Sequence, residues 1–313
     1  MQKYAKSLEE STNQSVWASL FLFILFISLG MVFGSFLGLI VAFPLTGLSV
    51  TEFISQLETG LSGEQFRIPL LILQGITSAV MFLLMPWIFL RLVEKTDIRG
   101  NMPSLSIGLR TVGLVLGATF AGMLFISWVY EWNMQLELPA FLDGFEQWAR
   151  QMEDQMAAAT EALTRMPNFS DFLLAFLVIA IIPGIGEELV FRGVLQNQLQ
   201  RIAGNAHVGI WVSAFIFSAI HMQFYGFFPR LLLGAGFGYM YVFSGKRLLY
   251  PILAHLFNNG FTIVLAYAAQ QGMVEYDLSE PSAAPWYVAL LALLAFAGLL
   301  GVFRKYFLTE GEA

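Results

Sequence analysis

The sequence predicts an all-α, polytopic membrane protein, a bundle of about eight transmembrane helices. Hydrophobic residues make up 57% of its 313 residues and charged residues only 12%, and the mean hydropathy is +0.69. A soluble domain is less apolar and carries about twice this share of charged residues. Helices are expected rather than strands because a helix satisfies its own backbone groups in lipid.

Eight apolar runs account for the predicted spans. They cover residues 17–43, 68–90, 111–130, 172–195, 208–225, 227–243, 248–269 and 286–303. The first run is too long for the core of a signal peptide and lacks a small-residue cleavage pattern, so we expect a retained span. Gly226 and Pro229 leave few residues between the fifth and the sixth run, which makes the sixth the least defined of the eight.

Positive residues predict that both termini face the cytoplasm. With the N-terminus inside, only Arg67, Arg150, Arg165 and Arg230 of the 16 Lys and Arg residues fall on the outer side. Segments that stay in the cytoplasm carry such an excess of positive residues. An odd number of spans would destroy this agreement.

The chain divides into four predicted regions. Residues 1–130 hold three membrane helices, residues 131–170 form an extracytoplasmic connection, residues 171–270 form a four-helix core, and residues 271–313 hold a loop and the last membrane helix. Apolar residues recur at helical spacing between Phe141 and Met166, which indicates an amphipathic helix in the connection. This helix could cap the bundle or act as a substrate gate.

Composition excludes several kinds of site. The chain has no cysteine, so a thiol nucleophile, a thiolate metal site and disulfide bonds are ruled out. No basic patch of the kind that binds nucleic acid is present. The expected partners are the lipid bilayer and a membrane-associated peptide or protein substrate.

Two adjacent acids and an arginine lie inside the fourth apolar run, in the sequence Gly186-Glu187-Glu188-Leu189-Val190-Phe191-Arg192. Ionisable groups at such depth are costly and are typical of functional sites. Glu188 and Arg192 are four residues apart on a helix, so we expect them to pair. Glu187 is rotated by about 100° from Glu188 and has no such partner. It is therefore the acid that can take a proton from water.

Two later runs each carry a histidine beside a residue of the same helix face. His255 precedes Asn259 by four residues, and both side chains could donate hydrogen bonds to a developing oxyanion. Asn258 fits this role less well. His221 follows Phe217 by four residues, so the histidine could hold the attacking water while the phenylalanine walls the pocket.

This set of groups predicts hydrolysis of an amide bond by activated water. Ser218, close to His221, is expected to bond a backbone carbonyl rather than to act as a nucleophile. The structural alternative is that the Glu–Arg pair and the histidines only hold helices together. A proton-coupled transporter with Glu187 and the histidines as a relay, and a catalytically silent membrane scaffold, are the competing functions.

The three motifs resemble those of the CAAX protease and bacteriocin-processing family of intramembrane endopeptidases, which includes the type II CAAX prenyl endopeptidase. Glu187-Glu188-x-x-x-Arg192 resembles the first motif of that family, Phe217-x-x-x-His221 the second and His255-x-x-x-Asn259 the third. They occur in the family's order between residues 170 and 270.

The resemblance implies a role for each motif residue. Glu187 and His221 would activate the attacking water, and His255 and Asn259 would stabilise the oxyanion. Glu188, Arg192 and Phe217 would be structural support.

The resemblance also raises the question of a metal, because the family has long been described as metalloproteases. A zinc ion would be bound by Glu187, His221 and His255. We favour the metal-free mechanism, since the first-motif acids lack the spacing of a paired histidine site and Glu188 is expected to pair with Arg192. The implied location is a bacterial inner membrane, and prenylated CAAX proteins, leader peptides and other membrane substrates all fit.

Overall fold

The computed structural model describes residues 15–59, 63–96, 108–275 and 283–310, and the regular structure in these ranges is helical throughout. Helix α1 covers Val16–Ala42 and ends in a 3-10 turn, Phe43–Thr46. Helix α2 covers Val50–Thr59. Helix α3 consists of Glu64–Ser78, a π-helical segment Ala79–Leu84, and Met85–Leu92. Helix α4 covers Leu109–Met134.

The second half of the chain contains the candidate motifs. After a 3-10 turn at Ala140–Leu142, helix α5 covers Asp143–Leu163. Helix α6 is composite, with α-helical parts Phe169–Ala175, Ile182–Glu188 and Gln196–Ala203 separated by π-helical segments Phe176–Ile181 and Leu189–Leu195. Helices α7, α8, α9 and α10 cover Ala206–Ala219, Phe227–Phe243, Leu249–Gln270 and Trp286–Glu310.

Six helices in the described ranges are long and apolar enough to cross a membrane. They are Val16–Thr46, Gln65–Leu92, Leu109–Met134, Phe169–Ala203, Leu249–Gln270 and Trp286–Thr309, and each contains or overlaps a predicted run. Helices α7 and α8, with 14 and 17 residues, are shorter than the roughly 20 residues of a full span. The polytopic helical bundle is confirmed, with two of the eight predicted spans represented by short apolar helices. The placement of the termini stays a prediction.

The fifth predicted run extends too far, because helix α7 ends at Ala219 and residues 220–226 form a turn. Met222 in this turn has a φ of 54°, a left-handed conformation through which a right-handed helix cannot continue. His221 therefore lies in a connection between two short helices and not within a span.

Two buried clusters of apolar side chains hold the bundle together. The first joins helices α1, α3, α6 and α7, and includes Phe23, Phe89, Val190, Phe191 and Phe217. The second joins helices α4, α8, α9 and α10, and includes Val115, Phe237, Met240, Tyr250 and Phe303. Arg192 of α6 lies between them, with Cζ 5.5 Å from the ring centroids of both Phe217 and Phe237. The charged motif is therefore located where the two clusters meet.

Gly186 allows helix α6 to approach helix α3 closely just before the acidic pair. A Cβ atom at this position would lie 2.6 Å from Cβ of Phe82 and 3.2 Å from its carbonyl carbon. Any larger residue would push the two helices apart, because backbone atoms cannot move aside as a flexible side chain can. The close approach fixes the position of Glu187 and Glu188 relative to α3.

A second buried carboxylate joins helices α1, α3 and α6 away from the motifs. Glu94, which follows α3, accepts hydrogen bonds from the Ser19 hydroxyl and from Nε2 of Gln198, the latter at 2.8 Å. Nη1 of Arg201 lies 3.8 Å from its other oxygen. Glu94 thus ties three helices together with mostly neutral donors.

Helix α5 is the amphipathic helix predicted for the connection, and it packs on the 220–226 turn. The Phe145 ring lies 5.3 Å from the Phe224 ring, and Cζ of Arg150 lies 4.7 Å from the centre of the Tyr225 ring. The turn that carries His221 is therefore covered by a helix from outside the four-helix core.

Candidate active site

Glu188 and Arg192 form the predicted pair, in a fully buried position. Nη1 of Arg192 donates to Oε1 of Glu188 at 2.6 Å, and the side chains are 1% and 0% exposed. Nη2 of Arg192 donates to the Gly234 carbonyl of α8, also at 2.6 Å. The guanidinium also lies against the faces of Phe217 and Phe237, where cation–π attraction of about 0.5–2 kcal/mol per ring is usual. The pair therefore anchors α6 to α8.

His255 of α9 completes this cluster. Its Nδ1 lies 2.8 Å from Oε1 of Glu188, the same oxygen that accepts from Arg192. A carboxylate only accepts, so Nδ1 carries the proton of this hydrogen bond. The ring also lies 5.2 Å from the ring of Phe237. Glu188 thus fixes the orientation of the imidazole in addition to neutralising the arginine.

Glu187 is arranged differently from its neighbour. Its side chain is 14% exposed and has no arginine or lysine nitrogen within salt-bridge distance among the described residues, while its Oε2 lies 3.7 Å from Nε2 of His255. That separation is too long for a direct hydrogen bond. The two acids of the motif therefore face opposite nitrogens of one imidazole, Glu188 in contact and Glu187 with a gap.

His221 and His255 both lie close to the ring of Phe217. The Phe217 ring centroid is 5.1 Å from the His221 ring and 6.1 Å from the His255 ring. Nδ1 of His221 is 2.7 Å from the Phe217 carbonyl. A carbonyl only accepts, so the neutral ring carries its proton on Nδ1 and leaves Nε2 free to accept a hydrogen bond.

Asn259 faces helix α6 from one turn beyond His255. Its Nδ2 donates to the Ile179 carbonyl at 3.3 Å, and its Oδ1 accepts from Asn258 at 3.0 Å. Pro183, four residues after Ile179, has no N–H that could donate to this carbonyl in the α-helical pattern. One N–H of the Asn259 amide remains for another acceptor.

The comparisons with known proteins cover the part of the chain just described. Residues 169–261 match the model of the family described as type II CAAX prenyl endopeptidase Rce1-like. This segment is an Rce1-like domain. No curated protein and no solved structure matches the chain.

The Rce1-like domain begins with α6 and ends within α9, so it contains all three motifs. The family resemblance read from the motifs is thereby confirmed, and the match supports an intramembrane CAAX-type endopeptidase activity in general terms. Helices α1–α5 and α10 lie outside the matched residues. The roles of the individual site residues stay predictions.

Ser218 of the Rce1-like domain donates a hydrogen bond of 2.6 Å to the Phe227 carbonyl. This is the behaviour expected of a hydroxyl on an apolar face, and the bond joins the end of α7 to the start of α8. Phe217, beside it, lies close to both imidazoles and also contacts the ring of Phe191, with centroids 5.0 Å apart.

Among the described residues, no group of three or more His, Cys, Asp or Glu side chains has an arrangement that could hold a metal ion. His255 directs Nδ1 to Glu188 and His221 directs Nδ1 to a carbonyl. Glu187, His221 and His255, which would be the ligands of the zinc-dependent alternative, do not form such a group.

Two features of the Rce1-like domain were not predicted from the sequence. The contact between Glu188 and His255 depends on how α6 and α9 are rotated toward each other, which spacing within one helix does not reveal. Arg230 of α8 lies close enough to interact electrostatically with Glu187 and His221. Arg230 could have been noticed from the sequence, because it is a basic residue at the start of a glycine-rich apolar run.

Proposed function

We propose that this protein is an intramembrane endopeptidase in which Glu187 activates a water molecule for attack on a peptide bond of a membrane-associated substrate. The observation that carries the proposal is the asymmetry of the two acids. Glu188 is fully buried and bound to Arg192, whereas Glu187 is partly exposed and lies beside an imidazole without contacting it. A carboxylate with no cation in contact keeps its capacity to accept a proton.

The reaction needs one proton to be moved twice. Glu187 takes a proton from water as the water oxygen attacks the carbonyl carbon, which gives a tetrahedral oxyanion. The carboxyl then gives this proton to the departing amide nitrogen as the C–N bond breaks. Such general acid–base help is worth about 10²–10⁴-fold in rate.

His221 is proposed to hold the attacking water together with Glu187. Its Nδ1 is committed to the Phe217 carbonyl, so Nε2 is the nitrogen that can accept a hydrogen bond from water. The hydrogen bond to the backbone thus selects the tautomer that the role requires.

His255 and Asn259 are proposed to stabilise the oxyanion. Nδ1–H of His255 is used by Glu188, so the ring can donate from Nε2 only as an imidazolium. Asn259 would contribute the N–H that is not bound to Ile179. Preorganised donors of this kind are worth about 10²–10³-fold each in rate.

The test compares the purified protein with Glu187→Gln and His221→Ala variants. The probe is an internally quenched peptide with a farnesylated cysteine three residues before its C-terminal carboxylate, assayed in detergent micelles. New peptide termini in membranes that contain each protein are compared in parallel. We expect cleavage by the wild type and none by either variant, although both variants insert and purify.

Cleavage by Glu187→Gln at the wild-type rate would refute the assigned role. If the wild type neither cleaves the peptide nor produces termini that depend on Glu187, the proposed activity is wrong. Metal analysis of the active protein, and the rate after chelator treatment, test the metal-free mechanism. A stoichiometric zinc ion whose removal abolishes cleavage would replace it with the zinc-dependent alternative.

A further inference from the structure

A chain of buried polar side chains connects helix α5 to the turn that carries His221. Glu153 of α5 is 8% exposed, and its Oε1 accepts a hydrogen bond of 3.0 Å from Nε2 of Gln223. Oε1 of Gln223 in turn accepts a hydrogen bond from Nη2 of Arg230, at the start of α8. The glutamine thus uses both ends of its amide to join an acid and a base that do not touch each other.

This arrangement is costly for a purely structural contact. Burial raises the pKa of the Glu153 carboxyl, while the nearby Arg230 charge, the Gln223 hydrogen bond and the Tyr225 backbone N–H oppose that rise. Among the described residues, Oε2 of Glu153 and Nη1 of Arg230 are buried without a hydrogen bond of good geometry. Buried polar groups without a partner lower stability, so their presence here calls for a reason other than stability.

The linked side chains of Glu153, Gln223 and Arg230 hold a strained part of the backbone. Gln223 follows Met222, whose φ of 54° is rare for a residue other than glycine. Such a conformation persists where the surrounding structure holds it. Asn133 of α4 adds hydrogen bonds to the Phe224 and Tyr225 carbonyls of the same turn. The turn is therefore fixed from α4, α5 and α8 at once.

The same turn determines where the His221 ring points, because His221 is only two residues before Gln223. Arg230 also lies close enough to interact electrostatically with both His221 and Glu187. Gly226 makes room for the guanidinium, since a Cβ there would collide with it. Displacing the turn by about 1 Å would be enough to cost roughly 10²-fold in rate.

We infer that Glu153, Gln223 and Arg230 are positioning residues for His221, so that helix α5, outside the Rce1-like domain, is part of the machinery for peptide hydrolysis. This inference rests on the proposed function. The three side chains act through the turn and through the placement of one positive charge, and none of them touches the reacting atoms.

Charge relocation tests the inference. Gln223→Glu places a second acid against Glu153 and should lower kcat for the farnesylated peptide by about 10- to 100-fold, with little change in KM, because the turn is displaced and not the substrate site. Adding Glu153→Gln restores a row of one acid, one amide and one arginine. The amide now at position 153 can donate to the carboxylate now at position 223, which also accepts from Arg230. The double variant should regain most of the lost kcat.

The matched control combines Gln223→Glu with Asp154→Asn. Asp154 is the next residue of α5 and is exposed, so this variant removes the same charge from α5 without repairing the chain. It should stay as slow as Gln223→Glu alone. Melting temperature and folded yield are measured for every variant, and kcat is expressed per folded protein.

The inference is overturned if Gln223→Glu keeps the wild-type kcat, if Asp154→Asn rescues as well as Glu153→Gln, or if the kcat values simply follow the melting temperatures. A wild type that fails to cleave the peptide, or a Glu187→Gln variant that still cleaves it, would count against the proposed function instead. The two failures are thus separated by the same set of measurements.

Discussion

Glu94 and Glu188, two of the buried carboxylates in this protein, differ in the charge of the groups that surround them. Glu94 accepts from a serine and a glutamine, and its nearest cation is 3.8 Å away and belongs to a side chain that is 35% exposed. Glu188 shares one oxygen between a fully buried arginine and an imidazole. Both tie helices together, yet only the second lies next to another acid, Glu187.

The comparison shows that a buried carboxylate does not by itself indicate a catalytic site. Glu94 is held mainly by neutral donors, the Ser19 hydroxyl and the Gln198 amide. At Glu188 the ionic pair holds an imidazole in place, and the partly exposed Glu187 faces the other nitrogen of that ring. The chemistry is predicted where an acid paired with an arginine supports a second acid that has no cation in contact.

The largest expected difference between the polar groups around Glu94 and around Glu188 is in their effect on activity. His255→Ala and Gln198→Ala each remove one donor from a buried carboxylate. We expect His255→Ala to lower kcat by about 10²–10³-fold, because it removes an oxyanion donor, and Gln198→Ala to leave it unchanged. Steady-state cleavage of the farnesylated peptide measures both. Similar losses in the two variants would mean that the Glu188 cluster is only structural.

Removing each carboxylate should lower stability by a different amount at Glu188 and at Glu94. Glu188→Ala leaves Arg192 buried without its ion-pair partner and should cost about 3–5 kcal/mol of unfolding free energy. Glu94→Ala leaves neutral groups and a solvent-accessible arginine, so about 1–3 kcal/mol is expected. Thermal melting and folded yield in detergent show which of the two variants is the less stable. A Glu94 variant that proves the less stable would reverse the comparison.

A smaller effect is expected from the helix contact that positions the acids. Gly186→Ala forces α6 away from α3 and should cost about 1–3 kcal/mol, the usual range for overpacking, with reduced cleavage. Gly298→Ala in α10 is the control, because a Cβ there meets nothing within 4 Å. Equal melting temperatures for the two variants would show that the α3–α6 contact adapts to the larger residue.

Much of the fold could be predicted from the sequence, because membrane helices depend on long apolar runs within single segments. The pairing of Glu188 with Arg192 was also predictable, since both residues lie on one helix. The end of α7 could not be predicted, because residues 220–226 form a turn but are mostly apolar or aromatic, as the residues of a span are. His221 was therefore assigned to a helix that stops two residues before it.

The rest of the site depends on contacts between helices. Spacing put His255 and Asn259 on one face of α9 but gave no sign that His255 would bind Glu188. The π-helical segments on either side of Ile182–Glu188 also change the rotation of α6 in ways that apolar periodicity does not show. Pro183 was a usable signal that the regular backbone hydrogen bonds of α6 are interrupted near Ile179, whose carbonyl Asn259 binds.

The sharing of one Glu188 oxygen between Arg192 and His255 has a consequence for charge. As the imidazolium that the proposed oxyanion role requires, His255 balances Glu187 in the same way that Arg192 balances Glu188, so these four side chains carry no net charge. When Glu187 takes a proton from water, the negative charge passes to the tetrahedral oxyanion and the sum does not change. The first chemical step therefore only moves a charge within the site, and the apolar interior never has to hold an unbalanced one.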